Sequence, residues 1–191
     1  MTKTEQLQQD LDYVSSAVRY HERPVGVPVI YFLWAGIVLA GFALPDFAPR
    51  LAGAFWFVAG IGGGLLSWWL GERDSRRSGV YDVALGKRYG MHWLVTGVAF
   101  LFSALPIMTG RADPAVASGN FLLVAGLAYA LAGVHLNRPI LWSGLLMLVA
   151  YAVLAMFAPP YTWTITGIVI ALSLSWAGLA AARARRAGAM Q

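Results

Sequence analysis

Three histidines are the residues of this 191-residue sequence whose types and positions could support chemistry. His21 precedes the first long apolar segment, His92 opens the third and His135 ends the fourth, so all three are expected at one level of a helical bundle. Imidazoles beside carboxylates can bind a divalent metal or titrate near neutral pH. The pattern therefore predicts a candidate metal site or pH sensor, with four acidic residues at the same level: Glu22, Glu72, Asp74 and Asp82.

The same histidines have a simpler interpretation as amphipathic residues at a membrane boundary. Two of them on facing helices could also ligate a haem, but haem ligands usually lie within a bundle, whereas these lie at its edge. The sequence contains no cysteine, which excludes disulfides and thiolate metal sites. No cofactor is predicted.

Catalytic motifs are missing from the sequence. It has no G-x-S-x-G elbow, no H-E-x-x-H pair and no glycine-rich phosphate loop followed by lysine. Its glycine run at 62–64 lies inside an apolar segment and is followed by leucines. We therefore expect a protein without enzymatic activity.

The elements that must position these residues are apolar segments. The chain is 59% hydrophobic and 12% charged, whereas soluble domains carry about 25% charged residues. A helix of about 20 apolar residues crosses the hydrocarbon core, and in lipid each backbone group needs a partner within its own segment. The sequence predicts an all-α polytopic membrane protein with six transmembrane helices, at about 27–44, 51–70, 93–110, 119–136, 140–157 and 161–181.

Three regions follow from this pattern: an amphipathic helix at 1–23, a transmembrane domain at 24–182 and a basic tail at 183–191. Thr2 and Glu5 fit a capping box for the first helix. Its apolar residues recur at helical spacing, which predicts one stripe. Because the segment is slightly acidic overall, the stripe is expected to dock on protein rather than on an anionic membrane surface. The stripe consists of Leu7, Leu11, Val14 and Val18.

Basic residues predict the orientation. If all six segments span, all but two of the 14 lysines and arginines fall on one side, and the exceptions are Arg50 and Arg111. Cytoplasmic segments of membrane proteins are rich in Lys and Arg, so both termini are expected in the cytoplasm. Topology then explains the net charge of +5 without nucleic acid. The Ala-, Arg- and Gly-rich composition favours a bacterial inner membrane.

The first and last helix pairs repeat a pattern. Residues 34–36 and 142–144 both read Trp-x-Gly, and so do residues 69–71 and 176–178. This spacing predicts duplicated hairpins, with the middle pair a degenerate copy, arranged as three parallel hairpins. In size, span number and repeated hairpins the chain resembles small six-span bacterial inner-membrane proteins, including acid-resistance membrane proteins. No motif residue matches, so the resemblance implies a fold class and no activity.

Gly60 and Gly64 share one face of the second predicted helix. Small residues four apart let a neighbouring backbone approach closely. The expected neighbour is a helix of the same chain or of another protomer.

The sequence favours a non-enzymatic membrane subunit or regulator that contacts a cytoplasmic or membrane protein partner. The stripe of the first helix is the expected docking surface, and four cations of the loop 71–92 would oppose acidic groups: Arg76, Arg77, Lys87 and Arg88. One alternative is a small homo-oligomeric transporter or channel lined by hydroxyls and glycines, although ionisable residues expected in a pump are missing from the spans. The other is the histidine-based sensor.

Overall fold

The computed structural model describes residues 6, 8, 26–78, 83–112, 114–136, 138–157 and 159–189. Gln6 and Gln8 are helical and exposed, but the docking stripe Leu7, Leu11, Val14 and Val18, like His21, lies outside the described residues. The described part contains six further helices and no strand, which confirms the all-α fold. They are α1 Pro28–Phe47, α2 Pro49–Ser78, α3 Val83–Met108, α4 Pro114–His135, α5 Pro139–Phe157 and α6 Thr162–Ala189.

Five of these helices, α1, α2, α3, α5 and α6, are long and apolar enough to cross a membrane. The remaining helix, α4, contributes a shorter apolar segment, Gly119–His135. A helix can form all of its backbone hydrogen bonds internally, which is what apolar segments of this length require in lipid. The fold is therefore compatible with a helical membrane protein.

Prolines start most of the helices. Pro28, Pro49, Pro114 and Pro139 each occupy the first position, where the missing N–H costs nothing. α1 continues through Pro45 to Phe47, a few residues beyond the predicted span of about 27–44. A proline in the last turn removes only one helical hydrogen bond, so the helix end tolerates it.

Several helices continue beyond their apolar segments. The predicted span ending at 70 belongs to a helix that reaches Ser78, and the span ending at 181 belongs to one that reaches Ala189. Arg, Glu and Ala are good helix formers, and Arg76 pairs with Glu72 one turn away at 2.9 Å. Hydropathy therefore identifies the apolar part of each helix and not its end.

The core lies among α1, α4, α5 and α6. The most extensive contacts join α1 to α6 and α4 to α5, and α6 also contacts α4 and α5. Leu122, Met147 and Leu174 are fully buried there. In the described part of the chain, the backbone of α2 packs only against α1 and that of α3 only against α4, and α2 and α3 do not pack against each other.

Glycines set the close approach of α4 and α5. A Cβ atom added at Gly133 would collide with the backbone of Leu141, and one added at Gly144 would collide with the backbone of Ala130. Only a residue without a side chain fits such approaches. This contact holds α4 and α5 together more closely than side chains alone would allow.

On α2 the residue that faces a neighbouring helix is Gly63, and not Gly60 or Gly64. A Cβ atom at Gly63 would lie 2.7 Å from Cδ1 of Ile37, whereas Gly60 and Gly64 have nothing within 4 Å. The helix face of Gly60 and Gly64 points away from α1, and their packing against another part of the chain stays a prediction. Packing between protomers stays a prediction.

The helices alternate in direction, so the bundle has two distinct ends. The starts of α1, α3 and α5 lie beside the ends of α2, α4 and α6, as in the hydrogen bond of 2.9 Å from Trp34 Nε1 to Ser67 Oγ. We call this the basic end, because nine basic residues lie there: Arg73, Arg76, Arg77, Lys87, Arg88, Arg138, Arg183, Arg185 and Arg186.

The opposite end is aromatic. Phe42 lies at its centre, with ring centroids 5.5 Å from Trp56, 5.8 Å from Phe121 and 5.9 Å from Trp163. Phe121 in turn stacks on Phe100 at 6.0 Å. Aromatic pairs at these distances add stability beyond their burial. The cluster joins α1, α2, α3, α4 and α6, and we call this the aromatic end.

At the aromatic end, Asp46 connects the last turn of α1 to the first turn of α6. Its Oδ2 accepts hydrogen bonds from the backbone N–H of Thr164 at 2.7 Å and from Thr164 Oγ1 at 2.6 Å. The first backbone N–H groups of a helix have no partner within it, and they favour a negative charge nearby. Asp46 of α1 therefore caps the start of α6.

Candidate functional site

The basic end presents the four cations predicted to meet a partner. Arg76 and Arg77 end α2, Lys87 and Arg88 lie in the first turns of α3, and all four side chains are exposed. Arg76 donates to Glu72 on its own helix. The other three form no ion pair with another described residue. Within the described part of the chain, the charges of Arg77, Lys87 and Arg88 are therefore not neutralised by an ion pair.

Asp74 and Arg185 form an ion pair between α2 and α6. The two terminal nitrogens of the Arg185 guanidinium, Nη1 and Nη2, donate to Oδ1 and Oδ2 of Asp74, each at 2.7 Å. The two groups lie beyond the apolar segments that end at 70 and 181, and hydrogen bonding to Arg185 lowers the pKa of the Asp74 carboxyl although partial burial opposes this. The pair ties the exposed end of α2 to the core. Sequence patterns did not predict it, because the two residues are far apart in the chain.

The histidines have separate environments. Nε2 of His92 lies 3.0 Å from the carbonyl oxygen of Ala128, so this nitrogen is a hydrogen-bond donor between α3 and α4. His135 is exposed and lies seven residues farther along α4 than Ala128, about 10 Å along the helix axis. The described residues contain no group of three or more His, Cys, Asp or Glu that could hold a metal. With His21 outside those residues, the metal site stays a prediction.

Polar groups surround His92 between α3 and α4. Its carbonyl oxygen accepts a hydrogen bond from Thr96 Oγ1 at 2.9 Å, and Trp93 packs on Tyr129 with centroids 5.2 Å apart. The hydroxyl of Tyr89 is buried with no hydrogen-bond partner among the described residues. A buried hydroxyl without a partner is unfavourable. Sequence analysis missed Tyr89, since a single tyrosine beside a basic segment forms no pattern.

Two hydroxyls that could line a pore bond to their own helices. Ser103 Oγ donates to Ala99 O at 2.9 Å, and Thr166 Oγ1 donates to Thr162 O at 2.7 Å. Such bonds to the preceding turn satisfy a hydroxyl within lipid or protein. Ser103 and Thr166 are therefore satisfied within their own helices.

Comparisons with known proteins add no candidate residues. The chain matches no protein-family description, no curated protein and no solved structure. The features that remain for a functional argument are the sparse packing of α2 and α3 and the exposed cations at their basic ends.

Proposed function

We propose that the protein is a non-enzymatic integral membrane subunit or regulator that contacts a partner protein through α2 and α3. One observation carries the proposal. The two most sparsely packed helices, each with its backbone packed against a single helix in the described part, are the helices that bear Arg76, Arg77, Lys87 and Arg88. A surface that combines sparsely packed helices with exposed charges favours a protein partner over lipid alone.

The positions of α2 and α3 support a contact that involves both. Ser78 and Val83 are five residues apart, so these helix ends lie within about 18 Å of each other. At the aromatic end, Phe42 of α1 and Phe121 of α4 lie between the two helices. The ends of α2 and α3 that carry the cations therefore lie near each other, and a partner placed there can reach the cations of both.

The open face of α2 also supports a helical partner. Among the described residues nothing lies within 4 Å of a Cβ atom added at Gly60 or Gly64, so no described residue covers their face of α2. Small residues at this spacing allow another transmembrane helix to approach the backbone closely. The cations would contact the partner at the basic end, and a partner helix that packs on this face would continue the contact into the membrane.

We further propose that the six helices cross a bacterial inner membrane as three parallel hairpins, with the basic end and both termini in the cytoplasm. The distribution of charge supports this orientation, because every described basic residue except Arg50 and Arg111 lies at the basic end. Positive residues are strongly enriched on the cytoplasmic side of membrane proteins.

Neither alternative function gains comparable support. A pore would use hydroxyls that instead bond to their own helices, such as Ser103 and Thr166. A histidine sensor would use His92, whose Nε2 already bonds to Ala128 O. The proposed subunit requires no rearrangement of these groups.

Cross-linking tests the proposal, because the chain has no cysteine and a single introduced one is unambiguous. Val58→Cys on α2 and Phe102→Cys on α3 carry the cross-linker, with Val149→Cys on α5 as the matched control; these positions are 71%, 62% and 61% exposed. In native membranes we expect adducts of one discrete added mass from α2 and α3 and none from α5. Equal adducts from all three positions would contradict the proposal, and a doubled mass would identify a second copy as the partner.

The cations provide a second, independent measurement. Replacing Arg76, Arg77, Lys87 and Arg88 with glutamine should release the cross-linked partner, whereas Arg183→Gln with Arg186→Gln should not. The loss should resemble that caused by high salt, because exposed charges are screened. Retention of the partner by the quadruple variant would show that these cations play no part.

A further inference from the structure

We propose that the groove between α5 and α6 at the basic end binds one anionic phospholipid. The groove has a volume of about 520 Å³ and is lined by Trp142, Ser143, Leu146, Ser173 and Trp176. Trp142 and Trp176 are 67% and 60% exposed, so their rings form its two open walls. This surface is separate from α2 and α3, and the inference does not depend on the proposed partner.

Two stripes of side chains face each other along this groove. Arg138 directly precedes α5 and lies four residues before Trp142; on α6, Arg183 follows Trp176 by seven residues. The spacing on α6 returns to the same helix face, and Arg138 lies at the start of α5 on the side of the basic end. The hydrogen bond of 2.9 Å from Ser143 Oγ to Ser173 O fixes the relative height of the helices. Each stripe therefore ends in an exposed arginine on the side of the basic end.

The order of side chains along the groove matches the order of groups in a phospholipid. Leu146 and the apolar helix surfaces come first, then the two tryptophans, then Arg138 and Arg183. Acyl chains need an apolar surface, tryptophan favours the interface, and arginine binds phosphate oxygens with two parallel hydrogen bonds. Two cations without a described carboxylate partner leave a positive charge that an anionic headgroup neutralises and a zwitterionic one does not.

Ser173 is the second observation that indicates a ligand. Its side chain is fully buried and lines the groove, and its Oγ has no hydrogen-bond partner among the described residues. Serine in a membrane helix usually donates to its own helix or to a neighbour. An ester carbonyl of a lipid within the groove supplies the acceptor that this hydroxyl lacks.

Lipid retention tests the inference. The full chain, extracted in mild detergent, is mixed with phosphatidylglycerol or with phosphatidylcholine of the same acyl chains, and bound lipids are counted by native mass spectrometry. We expect one phosphatidylglycerol per chain. Replacing Arg138 and Arg183 with glutamine should lower the preference for it by about tenfold or more, since each cation near a membrane surface contributes about fivefold.

Two control variants locate the lipid. Arg50→Gln with Arg111→Gln removes two exposed cations from the aromatic end and should leave the preference unchanged. Ser173→Ala, which removes no hydrogen bond made by its hydroxyl in the described structure, should reduce retention by roughly fivefold, the value of one hydrogen bond. Equal retention of both lipids by the original chain would overturn the inference. So would an equal loss in the two arginine double variants, or full retention by Ser173→Ala.

Discussion

At the scale of single residues, Asp46 has the clearest structural role. The first residues of α6 supply no cap of their own: Tyr161 has a positive φ of 59°, and the hydroxyl of Thr162 donates to Pro159 O at 2.6 Å. The carboxylate of Asp46 takes the place of a cap residue from another helix. It joins the last turn of α1 to the first turn of α6. These two helices form one of the two most extensive helix contacts in the described structure.

Removing this carboxylate should destabilise the bundle. Asp46→Ala leaves the N–H of Thr164 without its acceptor, and we expect a loss of about 1 kcal/mol in the free energy of unfolding. Reversible unfolding in detergent, followed by circular dichroism, measures it. Thr164→Val is the matched control, because it loses the hydroxyl bond and keeps the backbone bond, so its effect should be smaller. Equal effects would show that the backbone cap contributes nothing.

Individual positions also show where sequence patterns stop being informative. The offset that relates residues 69–71 to 176–178 in the predicted repeat also relates Trp56 to Trp163. Both of these rings contact Phe42. Gly60 corresponds to Gly167, yet Gly60 is open while a Cβ atom at Gly167 would lie 2.7 Å from Phe42 Cβ. Equivalent residues in two hairpins thus face different surroundings. A spacing identifies which residues share a helix face, but not what that face contacts.

At the scale of helices, the glycines between α4 and α5 replace an interface built from large side chains. Gly133→Ala should cost about 1–3 kcal/mol of unfolding free energy, because its Cβ would meet the Leu141 backbone, which cannot move as a side chain can. Gly97→Ala in α3 is the control, since nothing lies within 4 Å of it, and there alanine should be neutral or slightly stabilising. Thermal unfolding of both variants in one detergent compares them. Similar midpoints would show that α4 and α5 are not closely packed.

The helices themselves were predictable, but their neighbours were not. Apolar length alone predicted all six, because the hydrocarbon core sets a minimum that few other segments meet. The pairing of α1 with α6 had no signal in the sequence. Lipid and protein interior are equally apolar, so the buried and lipid-facing sides of a helix carry the same kinds of side chain. Amphipathicity, which reveals the buried face of a helix in a soluble protein, is missing.

At the scale of the whole molecule, the two ends differ in chemistry as well as in position. Rings contributed by five helices pack together at the aromatic end, whereas the basic end has few ring contacts and most of the charge. The charge difference was visible in the sequence, because alternating helices place every second connection at the same end. The aromatic cluster was not visible, since its members lie far apart along the chain.

This asymmetry yields a prediction about topology that can be tested without altering a charge. Ala112→Cys follows α3 near the aromatic end, and Ala187→Cys lies near the end of α6 at the basic end. With the basic end in the cytoplasm, a membrane-impermeant maleimide should label the first variant in intact spheroplasts. It should label the second only after the membrane is opened, because charged loops do not cross the bilayer. Labelling of Ala187→Cys alone in intact spheroplasts would show that the basic end faces outward, which contradicts the proposed orientation and a partner in the cytoplasm. Labelling of both would mean that only an even number of the three helices α4, α5 and α6 crosses the membrane.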